Sequence, residues 1–225
     1  MKVKMHTLGC KVNQYETESI TEDFLKNGYE ITLSDDDADI FVVNSCTVTS
    51  ESDRKTRQTV RRLKHNHPNS IVILTGCMPQ AFPEMAQGLE EAGIVIGNKN
   101  NAEILPKLRR YLSSHERMID IEQHCTGEKF YKTSINAFSE RTRAIVKIED
   151  GCDRFCSYCI IPKARGRVRS KPIEDIVKET ETLAASGFTE VVLVGINLSA
   201  YGKDTGDRFY DAVKAAADVD GIKRV

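Results

Sequence analysis

The chain has 225 residues, of which 40% are hydrophobic and 29% charged, values of a folded protein rather than a disordered one. With 32 basic and 33 acidic residues the formal net charge is -1, which excludes a strongly basic nucleic-acid-binding chain but not a local basic patch. Seven cysteines, an odd number, are too few for a disulfide scaffold.

The first ten residues lack the apolar run of a signal peptide. The strongest apolar stretches, 71–74 and 191–196, are strand-sized and too short to span a bilayer. The expectation is a cytoplasmic protein with no membrane partner. In a reducing compartment, clustered cysteines serve metal binding or chemistry more often than cross-linking.

In chain order, residues 3–8 read as a strand ending at Gly9-Cys10. A helix is predicted over 14–27, with Asn13 and Glu16 at capping-box spacing and Asn27-Gly28 as its stop. Residues 40–43 form a continuously apolar strand ending at Asn44-Ser45-Cys46, followed by a polar helix over 53–65 that Pro68 closes. A third strand, 71–74, ends at Thr75-Gly76-Cys77. A helix over 83–92, a short strand over 94–96 and a helix over 102–112 follow. Strands alternating with helices at this rhythm imply an α/β fold with an open parallel sheet and flanking helices. Residues 117–138 break the rhythm, apart from a possible strand at 118–121. A second α/β series then begins: a strand at 144–148, a long loop at 149–171, a helix at 172–185, a strand at 191–194, a helix at 208–217 and the start of a strand at 222–225. The expected organisation is an N-terminal domain over 1–116, a connection over 117–141 and a partial second domain over 142–225.

Cys152, Cys156 and Cys159 have the spacing C-x3-C-x2-C directly after a strand. Three thiolates on one compact loop can hold three irons of a 4Fe–4S cube and leave the fourth open to a small molecule. Structural zinc sites prefer four ligands arranged in pairs, and no second pair follows. The loop resembles the cluster motif of the radical S-adenosylmethionine (SAM) superfamily, with Tyr158 in its aromatic position. The resemblance implies a partial (β/α) barrel in the second domain. It also implies that the open iron binds the methionine part of SAM and that reductive cleavage yields a 5′-deoxyadenosyl radical. Tyr158 would pack near the adenine, and the strand end carrying Gly195 and Asn197 would approach the methionine part.

Cys10, Cys46 and Cys77 are spaced by about one βα unit each, and all lie at the carboxyl ends of predicted parallel strands, where an open α/β sheet forms its ligand crevice. Converging thiolates without a nearby His favour a second iron–sulfur cluster over zinc. His6, on the preceding strand, is expected to serve the strand face rather than a metal.

The two cysteine sets together resemble the radical-SAM methylthiotransferases. Residues 7–18, Thr-Leu-Gly-Cys-Lys-Val-Asn-Gln-Tyr-Glu-Thr-Glu, look like the opening of the branch that acts on threonylcarbamoyladenosine in tRNA, as do Arg141-Thr142-Arg143-Ala144 and Gly195-Ile196-Asn197-Leu198. The resemblance implies two 4Fe–4S clusters, SAM, a tRNA substrate and a reducing electron donor, with no DNA partner. The implied reaction adds a methylthio group to C2 of the modified adenine beside the anticodon. The alternatives are isopentenyladenosine tRNA or a ribosomal-protein aspartate as substrate, or a non-catalytic two-cluster electron-transfer protein. Family barrels have more strands than are present, so these residues alone are expected to be inactive, with a three-stranded open remnant after residue 142.

Two basic runs complete the inventory. Lys163, Arg165, Arg167, Arg169 and Lys171 follow the second cysteine set, and Arg54, Lys55, Arg57, Arg61, Arg62 and Lys64 lie on the helix after Cys46. Arg165, Arg167 and Arg169 are the candidate RNA contacts, since cations near the reacting base would neutralise phosphates. Cys125 is expected to be an ordinary thiol, and Asp35-Asp36-Asp37 a solvated loop.

Overall fold

The computed structural model describes residues 1–131, 135 and 142–225. Arg141 of the expected Arg-Thr-Arg-Ala motif and part of the expected connection lie outside them. The described residues form two compact units, one of Met1–His124 with Tyr158–Arg165, the other of Cys125–Ser157 with Gly166–Val225.

The first unit is built on parallel strands β1 (Lys2–Thr7), β2 (Glu30–Ile31), β3 (Ile40–Ser45), β4 (Ile71–Gly76), β5 (Ile94–Ile96) and β6 (Met118–Asp120), in the order β2-β1-β3-β4-β5-β6. β3 and β4 pair from Ile40↔Ile71 to Ser45↔Gly76 and are buried throughout. Helices cover both faces, which is why these strands read as unbroken apolar runs. Successive side chains still divide between the faces. Ile40, Val42, Ile71 and Ile73 pack with Ile20 and Phe24 of α1 (Lys11–Lys26). Phe41, Val43, Val72 and Leu74 pack with Val60 and Leu63 of α2 (Ser50–Asn66). Thr49 caps α2, its side chain accepting a hydrogen bond from the Ser52 N–H.

Several elements differ from the sequence expectation. α1 begins at Lys11 with Cys10 as its N-cap, so Asn13 and Glu16 form no capping box. The Asn13 amide is instead buried and donates to the Ser45 carbonyl at 2.8 Å and the Leu8 carbonyl at 3.1 Å. The helix expected over 83–92 is only the short α4 (Pro83–Gln87), and α3 (Cys77–Ala81), which was not expected, precedes it. Pro83 separates them by driving Phe82 out of helical geometry, to φ -131° and ψ 69°. A 3-10 turn over Asn98–Glu103 leads into α5 (Ile104–Ser114). Met118–Asp120, placed in the connection by its polar surroundings, is the sixth strand of the sheet, in register with β5.

The second unit contains β7 (Ala144–Lys147) and β8 (Glu149–Asp150). α6 (Ile161–Arg165) follows in sequence but belongs to the first unit. Then come β9 (Arg169–Ser170), α7 (Ile173–Ala185), β10 (Val191–Val194) and α8 (Phe209–Ala217). β7 and β10 pair in parallel, from Ala144↔Val191 to Lys147↔Val194. β8 and β9 form a short antiparallel ladder inside the stretch expected to be a loop. The expected third strand is reduced to one bridge, Glu190↔Arg224. Among the described residues no helix is long and apolar enough to cross a membrane.

Candidate functional site

β1, β3 and β4 are neighbours in the sheet and point the same way, so the residues that follow them share one edge. Cys10 caps α1, Cys46 follows β3 and Cys77 opens α3. Cys10 is exposed, whereas Cys46 and Cys77 are buried. The turn carrying Cys10 lies against Cys46: the position of a Cβ on Gly9 would be 3.1 Å from Cys46 Sγ. Cys10 Sγ donates to Asn13 Oδ1 at 3.4 Å.

The densest hydrogen bonding falls on Cys77. Arg165 Nε donates to its sulfur at 3.2 Å, and Arg165 Nη2 donates to Asn13 Oδ1 at 2.9 Å. The same guanidinium pairs with both carboxylate oxygens of Glu16, Nη2 lying 3.0 Å from Oε2. Arg165 is only 1% exposed. Burial pushes the Cys77 thiol up to about 11, while the Arg165 charge acts in the opposite direction. Among the described residues no three His, Cys, Asp or Glu side chains gather closely enough to grip a single metal ion. A 4Fe–4S cube spreads its thiolates over separate irons. The donors present, three thiols with a buried guanidinium facing one of them, fit such an anionic group.

In the second unit, Cys152 follows β8 and is half-buried, and Cys156 is exposed. Phe155 between them has φ +46°, an uncommon value for a non-glycine residue, and the Arg167 guanidinium lies 4.7 Å from its ring centre. Asn197 Nδ2 donates to Cys152 Sγ at 3.4 Å, so the turn after β10 meets the first cysteine of the loop. Cys159 and Tyr158 are described with the first unit, where Cys159 is half-buried and Tyr158 is 90% exposed.

Glu149 went unnoticed in the sequence. It is 0% exposed, and its Oε2 accepts from the Asn197 backbone N–H at 2.6 Å. Its Oε1 has no hydrogen-bond partner among the described residues. A Cβ on Gly195 would lie 2.6 Å from Glu149 Oε2, so only glycine lets the strand end sit against this carboxyl. Burial raises the Glu149 pKa from 4.5 to about 7, with Asp150 adding to the rise and the backbone N–H of Asn197 opposing it. Between these values the folded protein holds a proton that the unfolded chain releases. Its contribution to stability should therefore fall as pH rises from about 4.5 to 7, by about 3 kcal/mol in all, and level off above. Urea unfolding at stepped pH, compared with Glu149→Gln, measures it: the variant should lose this slope, and identical slopes would contradict the assignment.

The basic run after the loop is not the row of surface cations expected. Arg165 is buried on Glu16, and Arg169 is buried between Glu128 at 3.3 Å and Asp150 at 3.4 Å. Lys171 is buried on Glu179, and Lys163 lies over the Phe82 ring. Only Arg167 of the three candidate RNA contacts is on the surface, 3.5 Å from Asp153. The physical reason is that β9 runs through the second unit's interior and α6 packs Ala164 against Cys77 and Ala81. On α2, Arg54 and Lys55 pair with Glu51, Arg61 with Glu91 and Arg62 with Asp35, exposed or partly exposed pairs of small energetic weight. His6 lies on the strand face 3.1 Å from Asp35 Oδ1. Cys125 donates to Glu128 at 3.5 Å.

Comparison with known proteins places this geometry. Residues 2–97 match the model described as "Uncharacterized protein family UPF0004", and residues 146–225 match that of the "Radical SAM superfamily". Residues 146–225 thus match a radical SAM domain, and that superfamily implies SAM and a 4Fe–4S cluster. It is 38% identical, over all of its length, to "Threonylcarbamoyladenosine tRNA methylthiotransferase MtaB" of Aquifex aeolicus, and 36% identical over 99% of its length to the protein of the same name in Bacillus subtilis. Over that length it is similar to the radical-SAM methylthiotransferases. The chain spans 55% and 50% of those two relatives, about half the length of the curated relatives it matches. The solved structure of the radical S-adenosylmethionine methyltransferase TsrM from Kitasatospora setae covers 95% of the chain, and the match takes in 50% of TsrM, with a TM-score of 0.57 and 14% identity. That likeness shows the fold.

Proposed function

We propose that the protein is a cytoplasmic tRNA methylthiotransferase that adds a methylthio group to C2 of N6-threonylcarbamoyladenosine beside the anticodon. The observation that carries this reading is the pairing of two three-cysteine sets, one at the shared edge of β1, β3 and β4 and one in the loop after β8. Cys152, Cys156 and Cys159 would hold the radical-SAM cluster, and Cys10, Cys46 and Cys77 a second 4Fe–4S cluster. With SAM bound and an electron donor present, the first cluster supplies radical chemistry capable of activating an unreactive C–H bond.

The chain's own residues bind and orient. Asn197, hydrogen-bonded to Cys152 through its side chain and to Glu149 through its backbone, would fix the methionine end of SAM beside the cluster. Gly195 keeps that wall thin. Tyr158, with most of its ring in solvent, offers a face for the adenine. Arg167 is the loop cation placed to meet an RNA phosphate, and Arg165 and Arg169 serve instead inside their own units.

The test is the nucleoside profile of tRNA from a strain lacking the intact gene. The methylthio form of threonylcarbamoyladenosine should vanish and its unmethylthiolated precursor accumulate. An unchanged profile for that nucleoside would refute the proposal, and loss of the methylthio-isopentenyl nucleoside instead would move the protein to that branch.

A further inference from the structure

Arg165 is carried on α6, far along the chain from the sheet, yet its guanidinium is buried with residues that frame the N-terminal cysteine set. One nitrogen points at the Cys77 sulfur. Another holds Asn13, whose Oδ1 also receives Cys10. Glu16 accepts from that nitrogen and from the third, Nη1. Asn98 adds a second tie, donating to the Ala164 carbonyl at 2.8 Å, with its Nδ2 also 4.0 Å from Cys77 Sγ. A guanidinium stays charged at any pH a protein survives, and a charge buried among low-dielectric groups acts on its neighbours far more strongly than a surface charge.

We propose that Arg165 is a positioning residue for the N-terminal cysteine set, holding Cys77 and, through Asn13, Cys10, and raising the reduction potential of the cluster bound there. This rests on the reading that Cys10, Cys46 and Cys77 hold a 4Fe–4S cluster. Reduction adds one electron to an already anionic group. A cation and an N–H donor on a ligating sulfur stabilise the reduced form more than the oxidised one. Glu16 opposes that effect from farther away and keeps the buried guanidinium neutralised, since a lone buried charge would be costly. The site is therefore built with a near cation and a farther anion, and their difference sets the field at the sulfur.

The experiment uses the chain with Cys152, Cys156 and Cys159 replaced by Ala, so that only the N-terminal set can hold iron. After anaerobic reconstitution, iron per chain is measured and the cluster is titrated with redox mediators under electron paramagnetic resonance. Arg165→Gln together with Glu16→Gln removes both charges while keeping a polar pair of similar size. This variant should retain its iron, and the reduced-to-oxidised ratio at a fixed potential should fall about tenfold, equivalent to about 59 mV for one electron. Arg165→Lys keeps the charge but not the fork and should show a smaller fall. An unchanged midpoint in an iron-loaded double variant reduces Arg165 to a structural pair and overturns the inference alone. If the double variant does not fold, Arg165→Lys decides by the same criterion: a lowered midpoint supports the inference and an unchanged one overturns it. A parent protein that binds no iron overturns the second-cluster reading, and the inference with it.

Discussion

Replacing Cys10, Cys46 and Cys77 together by Ala should remove about half the iron from anaerobically reconstituted protein, and replacing Cys152, Cys156 and Cys159 should remove the other half. In the proposed arrangement each set would supply three thiolates, so a triple replacement would leave its cube without an anchor. The two losses should be independent, because the sets lie on different turns, one following β1, β3 and β4 and the other following β8. Cys46 and Cys77 are small and buried, and alanine at Cys77 preserves the apolar packing with Ala81 and Ala164. Unchanged far-ultraviolet circular dichroism would therefore accompany the loss. Iron and sulfide analysis, with electron paramagnetic resonance of the reduced samples, reads the result. If either triple variant kept all its iron, the assignment of two separate cluster sites would fail.

Gly76→Ala should destabilise the protein by about 3 kcal/mol or more. Gly76 ends β4 and delivers Cys77, with φ +97° and ψ -156°, a region open in practice to glycine alone. A Cβ there would lie 2.4 Å from the Ser45 carbonyl oxygen and 2.5 Å from its amide nitrogen, both on the neighbouring strand β3. Backbone cannot swing aside as a side-chain tip can, so strain and collision add. Gly28 provides the comparison: its φ is +80°, but nothing lies within 4 Å of its Cβ position. Gly28→Ala should cost only about 1 kcal/mol, the strain without the collision. Denaturant unfolding of both variants checks the difference, and equal midpoints would show that the contact with Ser45 yields.

The parallel sheet was legible because β3 and β4 carry unbroken apolar runs and each ends at a cysteine. The cysteine positions were legible for the same reason, since strand ends in such a sheet share an edge. What escaped were features decided by distant partners. β6 has only three residues, and its pairing with β5 shows only in the fold. Asn13 and Glu16 carry the spacing of a capping box, but the Ser45 carbonyl and Arg165 claim their side chains. The run Lys163 to Lys171 contains no acid, so its sequence reads as a surface patch. Its neutralising carboxylates, Glu16, Glu128, Asp150 and Glu179, all lie elsewhere in the chain. Glu149 was passed over because an acid beside a cysteine motif carries no sequence mark of burial.

The pairing of Arg165 with Glu16 spans 149 residues. A ribosome makes Glu16 and all six strands of the first sheet before it makes Arg165. Because β3 adds beside β1, and β4, β5 and β6 each add beside the strand made before them, this side of the sheet can grow outward in the order of synthesis. The edge that carries Cys10, Cys46 and Cys77 is therefore laid down without the guanidinium that later covers Cys77. During that interval the edge lacks its cation, and the arrival of α6 completes it.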